Sequence, residues 1–263
     1  MPELPEVESF GKYLENTSLN KEIEDVDIES PQLLQNININ VFKEKLESQS
    51  FLNVKRIGKY LFVRLDNNLW LVLHFGMTGS LKFFENNDKK PPYGRIIFDF
   101  VDGSHLAFTD PRKFGKIHLI LKIEDFIKNK KLGPDALDIN LKTFKKLYSK
   151  RRGASKSALM NQHVMSGVGN IYSDEILYHA CVHPKTSFQT LNDEKLNEIF
   201  KIMKEVLKIA IDKDLKGENL PDSYLIPHRI KNGECPKSKT KLKTIKISGR
   251  TSYYCPVCQK EIL

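Results

Sequence analysis

The sequence lacks any apolar run that approaches the length needed to span a bilayer. It also lacks a secretory leader, because MPELPEVES puts carboxylates where a signal peptide carries positive charge and then an apolar stretch. Membrane and exported proteins are set aside on these grounds, and a soluble cytoplasmic protein is expected. Cysteine is scarce: four in 263 residues do not make a disulfide scaffold. Three of them, Cys235, Cys255 and Cys258, crowd together near the C-terminus, which suggests a metal site instead. Cys181 stands apart and is expected to be a small buried hydrophobe. Internal repeats and low-complexity segments are absent, which argues against solenoids and disordered tracts. Acidic residues are the minority, 33 against 42 Lys and Arg, and the formal charge of +9 favours a polyanionic partner.

What is present is enough apolar content, 40%, for two or three domains with proper cores. Val7, Phe10 and Leu14 recur at helical spacing, so a short amphipathic helix begins almost at the N-terminus, with Glu3 and Glu6 near its first turn. From Phe51 to about Leu121 the pattern is that of strands. YLFVRL and LWLVLHF flank Asp66-Asn67-Asn68, and RIIFDFV and HLAF flank Asp102-Gly103-Ser104, so both pairs read as antiparallel hairpins. Residues 1–122 are therefore expected to form a β-rich domain, a sandwich with a helix at its start. Residues 123–222 read as a helical domain, in which Leu196, Ile199, Phe200, Met203, Val206, Leu207 and Ala210 mark one long amphipathic helix. Residues 223–263 end in a hairpin-like unit, with Ile245 and Ile247 before a Ser248-Gly249-Arg250 turn and the strand TSYYC. The fold class expected is α+β.

The N-terminus carries the first chemical signal. Removal of Met1 would expose the secondary amine of Pro2 at the start of a helix. A free α-amine titrates near ~7.7–8.0, and the positive end of a helix disfavours its protonated form. Such an amine can attack a sugar aldehyde carbon to give a Schiff base, with Glu3 moving protons beside it. Pro2 and Pro5 also suit a plain helix start. Five short strings then stand in order along the chain: MPELPEVE, GKYL around Lys59, HFGMTGSL around Met77, DPRKFG around Arg112 and GVGNIYSDE around Asn170. Together they resemble the formamidopyrimidine-DNA glycosylase and endonuclease VIII family, and the resemblance spans essentially the whole chain.

That resemblance implies a bilobal protein that binds damaged double-stranded DNA as a monomer, built from a β-sandwich, a helix-two-turn-helix domain and a zinc-finger-like hairpin. It implies that Pro2 attacks C1′ and displaces the base, that Glu3 transfers protons at the sugar, and that β- and δ-elimination follow. Lys59 is implied to bind phosphate and assist elimination, and Arg250 at the hairpin tip to assist δ-elimination among Lys237, Lys239, Lys241, Lys243 and Lys246. Met77, Arg112 and Phe114 fall at the positions that fill the gap left by a flipped nucleotide. Core packing is the competing reading for Met77 and Phe114, but Gly76, Gly79 and Gly115 around them look like exposed turns. Arg151, Arg152 and Lys156 form a basic cluster, and Lys156 and Asn170 are implied to touch the DNA backbone, with GVGN suited to a phosphate at a helix start.

The C-terminal unit departs from the family pattern. Cys235, Cys255 and Cys258 fit C-x2-C-x16-C-x2-C, but the second position is Ser238. Zinc is expected on three thiolates, with water or a group such as His228 completing the shell, or the hairpin folds without metal. Tyr93 and Arg95 stand where relatives that act on purines often carry histidines, which puts DNA contacts there in doubt. The leading function is excision of oxidised purines such as 8-oxoguanine and formamidopyrimidines. The stretch from Asp212 to Pro227 leans the same way. The alternatives are the same chemistry on oxidised pyrimidines, a catalytically silent damaged-DNA-binding protein, or a zinc-ribbon interaction module, the last of which explains only the C-terminal segment.

Overall fold

A computed structural model describes residues 1–86 and 88–260. They form two compact units, Met1–Lys130 and Lys131 onward. The fold is α+β, and among the described residues no helix is long and apolar enough to cross a membrane.

The first unit opens with α1 (Leu4–Ser18), whose Val7 and Leu14 are buried as their spacing requires. Two antiparallel four-stranded sheets follow. One has the order β1 (Ile23–Ile28), β6 (Gly94–Phe100), β7 (Ser104–Thr109), β5 (Ser80–Glu85). The other has the order β2 (Phe51–Ile57), β3 (Tyr60–Leu65), β4 (Trp70–His74), β8 (Lys116–Ile120). The predicted hairpins are β3–β4 and β6–β7, with Tyr60 opposite His74 and Ile97 opposite Ala107. The core between the sheets joins Phe98, Leu106 and Leu81 to Phe51, Leu61, Leu71 and Ile117, and α1 and α2 (Ile39–Leu46) close it with Val7, Leu14, Phe42 and Leu46. Phe62 and Val72 point to the opposite face, where α3 (Ile123–Lys130) covers them with Ile123 and Phe126. That burial places α3 with the sandwich.

The second unit contains α4 (Leu141–Tyr148), α5 (Ser155–Met160), α6 (Asn170–His179) and the long α7 (Asp193–Leu215). In α7 the residues Leu196, Ile199, Met203, Val206, Leu207 and Ala210 are buried, and the Asn192 side chain caps its start by accepting from the Lys195 amide. Because α7 continues to Leu215, the connection that runs on to Pro227 is shorter than the sequence suggested. The chain ends in the hairpin β9 (Lys243–Ile247) and β10 (Arg250–Tyr254). Ser248 and Gly249, with φ of 48° and 72°, make a tight two-residue turn, so Arg250 opens β10. The base of the hairpin shares a small core with α6, formed by Tyr178, Leu225, Cys235 and Cys255.

Candidate functional site

In the first unit, Glu3 is the N-cap of α1 and is almost completely buried. It forms a reciprocal capping box with Glu6, whose Oε2 accepts from the Glu3 amide at 2.8 Å while the Glu3 carboxylate accepts from the first turn. A carboxylate so held lies at the positive end of the helix, directly after Pro2. Arg56 links this helix to the β2–β3 turn: its Nε donates to Glu8 at 2.6 Å and its Nη1 to the Gly58 carbonyl at 3.1 Å. Lys59 follows in that turn and is buried rather than splayed into solvent. Its charge reaches His74, which lies opposite Tyr60 with the two rings 4.8 Å apart. Burial first, then Lys59, Lys116, His118 and Lys130, push His74 down to about 4, so it is a neutral imidazole at physiological pH. The same cause, with Lys130 and Lys116, lowers His118 to about 4.

Two loops continue from this row. One follows His74 and carries half-buried Met77; the other joins β7 to β8 and carries exposed Arg112 and Phe114. Asp110 staples them together and is fully buried. Its Oδ1 accepts from the Thr78 hydroxyl at 2.5 Å and the Arg112 amide at 3.2 Å, and its Oδ2 accepts from the Gly115 amide at 2.7 Å. The glycines around it are buried, which corrects their reading as exposed turns. At Gly76, with φ of +57°, a Cβ would come within 2.5 Å of the Phe114 backbone, so only glycine lets the two loops meet. Phe114 remains 50% exposed despite its apolar ring, and the Arg112 guanidinium lies 4.8 Å from its centroid. Such exposure fits an aromatic side chain that meets a partner better than one that packs a core. Arg95 supports the staple from behind. It is buried, donates to the Asp110 carbonyl at 2.9 Å and pairs with Glu29 at 2.5 Å, while Tyr93 is exposed.

In the second unit, Asn170 begins α6 just after the Val168-Gly169 turn, and its Oδ1 is buried without a hydrogen-bond partner among the described residues. The basic cluster expected before it divides. Arg151 is half-buried, with Nε donating to the Leu147 carbonyl, and Arg152 is exposed. Lys156 is completely buried, with Nζ 2.6 Å from Asp174. The expectation that Lys156 presents its charge to DNA is therefore corrected: a carboxylate in the same helical unit has claimed it. Glu175, also fully buried, accepts from the amides of Leu225 and Ile226 at 2.8 and 2.7 Å and so pins the segment that leads into the hairpin. Arg250 and Lys237, Lys239, Lys241, Lys243 and Lys246 are all exposed. Cys181 is exposed too, in a left-handed conformation just beyond α6, and not the buried hydrophobe expected.

The Sγ atoms of Cys235, Cys255 and Cys258 lie within 4.8 Å of one another, the only such ligand cluster among the described residues. Cys235 and Cys258 are 3.8 Å apart, close to the edge of a tetrahedron with zinc–sulfur bonds of ~2.3 Å. Each Cys-Pro-x-(Ser/Cys) turn folds so that the amide of its last residue donates to the first sulfur, Ser238 to Cys235 and Cys258 to Cys255, both at 3.4 Å. Ser238, at the sequence position of a fourth cysteine, has its Oγ 3.2 Å from Cys255 Sγ. His228 is outside the cluster, its Nε2 3.0 Å from the Asp222 carbonyl, so it does not complete the shell. Three thiols and one hydroxyl, pre-folded in this way, fit a zinc ion of reduced sulfur content.

Asp110, His74, Asp174 and Glu175 were not singled out from the sequence. All four lay inside the quoted strings HFGMTGSL, DPRKFG and GVGNIYSDE, but a string does not say which of its polar residues is buried.

Comparison with known proteins gives one consistent result. Residues 1–117 match the family model described as formamidopyrimidine-DNA glycosylase N-terminal domain, and residues 132–221 match the one described as formamidopyrimidine-DNA glycosylase H2TH domain. The formamidopyrimidine-DNA glycosylase of Mycoplasma genitalium is 34% identical over 99% of this chain and 96% of its own length. That of Mycoplasma mobile is 32% identical over 99% of each. Among solved structures, the Lactococcus lactis protein in complex with DNA containing N7-benzyl-Fapy-dG superposes with a TM-score of 0.89 at 26% identity, covering 99% of this chain and 100% of that one. The same protein bound non-covalently to DNA containing an abasic site gives a TM-score of 0.87 at 25% identity, with the same coverage.

Proposed function

Because the chain belongs to the formamidopyrimidine-DNA glycosylase family, we propose a division of labour for its residues in excising oxidised purines from duplex DNA and cutting the abasic strand. It is a base-excision-repair glycosylase with lyase activity. Once Met1 is removed, the Pro2 nitrogen attacks C1′ of the damaged nucleotide. The base leaves with the bonding electrons and takes up a proton, and the sugar ring opens to an iminium. Glu3, buried beside Pro2 and aimed by the capping box, carries protons between the sugar oxygen and the departing groups. Loss of the C2′ proton expels the 3′ phosphate, and a second elimination expels the 5′ phosphate. Lys59 meets a phosphate flanking the lesion from its turn next to α1, with neutral His74 behind it.

Met77, Arg112 and Phe114 enter the duplex where the nucleotide has left, Phe114 as a wedge and Arg112 toward the orphaned base. The observation that carries this reading is the continuous row from the capped start of α1 through Arg56, the Lys59 turn and His74 to the two loops joined at Asp110. In the second unit, Asn170 at the start of α6 and the half-buried Arg151 receive backbone phosphates, and Arg250 reaches the strand to assist the second elimination. Relatives that carry the formamidopyrimidine name support the purine branch over the pyrimidine branch.

The test is borohydride trapping on duplexes that contain 8-oxoguanine, an oxidised pyrimidine or an abasic site. A covalent adduct on the purine lesion that weakens sharply in Pro2→Gly is expected. An adduct only on the pyrimidine lesion would move the chain to the other branch, and binding without any adduct would support a silent binder.

The hairpin cluster is proposed to hold zinc through Cys235, Cys255 and Cys258, with Ser238 Oγ or water as the fourth ligand. The ion supplies rigidity to the turn region and takes no part in the chemistry at C1′. Ser238→Cys should tighten metal retention against a chelator by more than ~10-fold. Equal retention in both forms would show that Ser238 costs the site nothing.

A further inference from the structure

One heavily engaged side chain of the second unit is one that the proposed chemistry never touches. Asp174 lies in the second turn of α6, fully buried, and gathers donors from three other segments. From α5, Lys156 Nζ reaches Oδ1 at 2.6 Å. From the segment before the hairpin, Arg229 Nη2 reaches Oδ2 at 3.0 Å. From β10, the Ser252 hydroxyl reaches Oδ1 at 2.5 Å and the Tyr253 amide reaches Oδ2 at 3.0 Å. The Arg229 guanidinium also lies 5.2 Å from the Tyr253 ring centroid, and the Ser157 and Ser248 hydroxyls touch at 2.7 Å beside the turn.

This set of contacts specifies register. Ser252 and Tyr253 are consecutive, and each is aimed at a different oxygen of one carboxylate. A slip of one residue would turn Ser252 to the other face of the strand and break both contacts. Arg250 lies two residues before Ser252 and shares its face of β10. At the other end, Asn170 is four residues before Asp174 on the same helix, one turn away. Arg250 and Asn170 are thus indexed to a single carboxylate, and none of its contacts passes through the cysteine cluster.

We propose that Asp174 is a positioning residue for strand cleavage, fixing Arg250 relative to Asn170 so that the arginine meets the sugar–phosphate held at the start of α6. The proposal rests on the reading of Arg250 as the residue that assists the second elimination. Lys156 and Arg229 then act on the same network, as the cations that hold the carboxylate in place, and not as DNA contacts.

The experiment uses the full-length protein on a duplex with a preformed abasic site, and measures borohydride trapping together with the ratio of δ- to β-elimination product. The proteins are wild type, Arg250→Ala, Asp174→Asn, Ser252→Ala and the Asp174→Asn, Arg250→Ala double variant. Asp174→Asn should keep its adduct at saturating enzyme while the δ:β ratio falls by up to ~100-fold. Ser252→Ala should fall in the same direction by less. The double variant should be no worse than Arg250→Ala, because both changes remove one contribution.

A general loss of structure would lower both products together and leave the ratio alone. An unchanged ratio in folded Asp174→Asn or in Ser252→Ala overturns the proposal, as do losses that multiply in the double variant. Ser252→Ala leaves both cations paired with Asp174, so it decides the matter if Asp174→Asn does not fold. A wild-type ratio in Arg250→Ala would instead sink the reading of Arg250, whatever Asp174 does.

Discussion

Each unit of the protein is organised around one fully buried aspartate, and the two solve different problems. Asp110 in the sandwich meets, among the described residues, only neutral donors, the Thr78 hydroxyl and the Arg112 and Gly115 amides, and it joins two loops that each cross from one sheet to the other, β4 to β5 and β7 to β8. Asp174 in the helical unit meets two cations and two neutral donors, and it joins segments far apart in the chain. The sandwich already holds its loops close through strand pairing and glycine contacts, so a few amide donors suffice to fix their tips. The hairpin has only two strands and a small core, and a structure of that kind is marginal by itself. It is anchored with charge.

The comparison can be broken experimentally, and the largest expected effect is at Asp174. Asn in its place removes the negative charge that faces Lys156 and Arg229 in the interior. Urea unfolding should show a loss of ~3–5 kcal/mol in the second unit. A loss under ~1 kcal/mol would mean that water reaches the cations. Asp110→Asn removes acceptors from neutral partners only, so a smaller loss of ~1–3 kcal/mol is expected. Its thermal unfolding should therefore fall between wild type and Asp174→Asn.

A third effect belongs to the sandwich and to pH. His74 and His118 are lowered to about 4 when folded, against an ordinary value of 6.5. Between these values the unfolded chain binds protons that the folded chain does not, so stability falls as the pH drops through that window and levels off below it. The cost at pH 5 should be ~1–2 kcal/mol for each histidine. Thermal melts of His74→Gln across this range should show a shallower acid slope than wild type, and parallel slopes would refute the assignment. The smallest effect is expected at an exposed pair. Lys43 lies 2.7 Å from Asp25, and Lys43→Ala should change stability by less than ~1 kcal/mol in the same urea assay.

Much of this was legible in the sequence, for identifiable reasons. The β3–β4 and β6–β7 hairpins announce themselves through apolar runs flanking turn residues, and α7 through its apolar stripe. Strand β1 does not, because only Ile23 and Val26 of IEDVDI are fully buried and a register irregularity follows Ile23. Helix α2 is too short for a clear period and depends on its Asn38 cap. Among the site residues, Pro2, Glu3, Met77, Arg112, Phe114, Asn170 and Arg250 could be named because they sit at fixed places in recognisable strings. Lys156 misled because a lysine next to two arginines looks the same in sequence whether its ammonium faces water or a buried carboxylate. Cys181 misled in the opposite sense, since a lone apolar thiol carries no mark of exposure.

The order of motifs along the chain determined the family, and with it the class of reaction, because those depend on which residues are present and in what sequence. The partner of each charge was decided only by the tertiary structure. Whether a lysine meets DNA or Asp174, whether a turn glycine faces solvent or the backbone of another loop, and whether Ser238 can stand at the corner of a metal site all depend on contacts between residues distant in the chain. Burial makes such contacts strong, and one-dimensional spacing does not encode it.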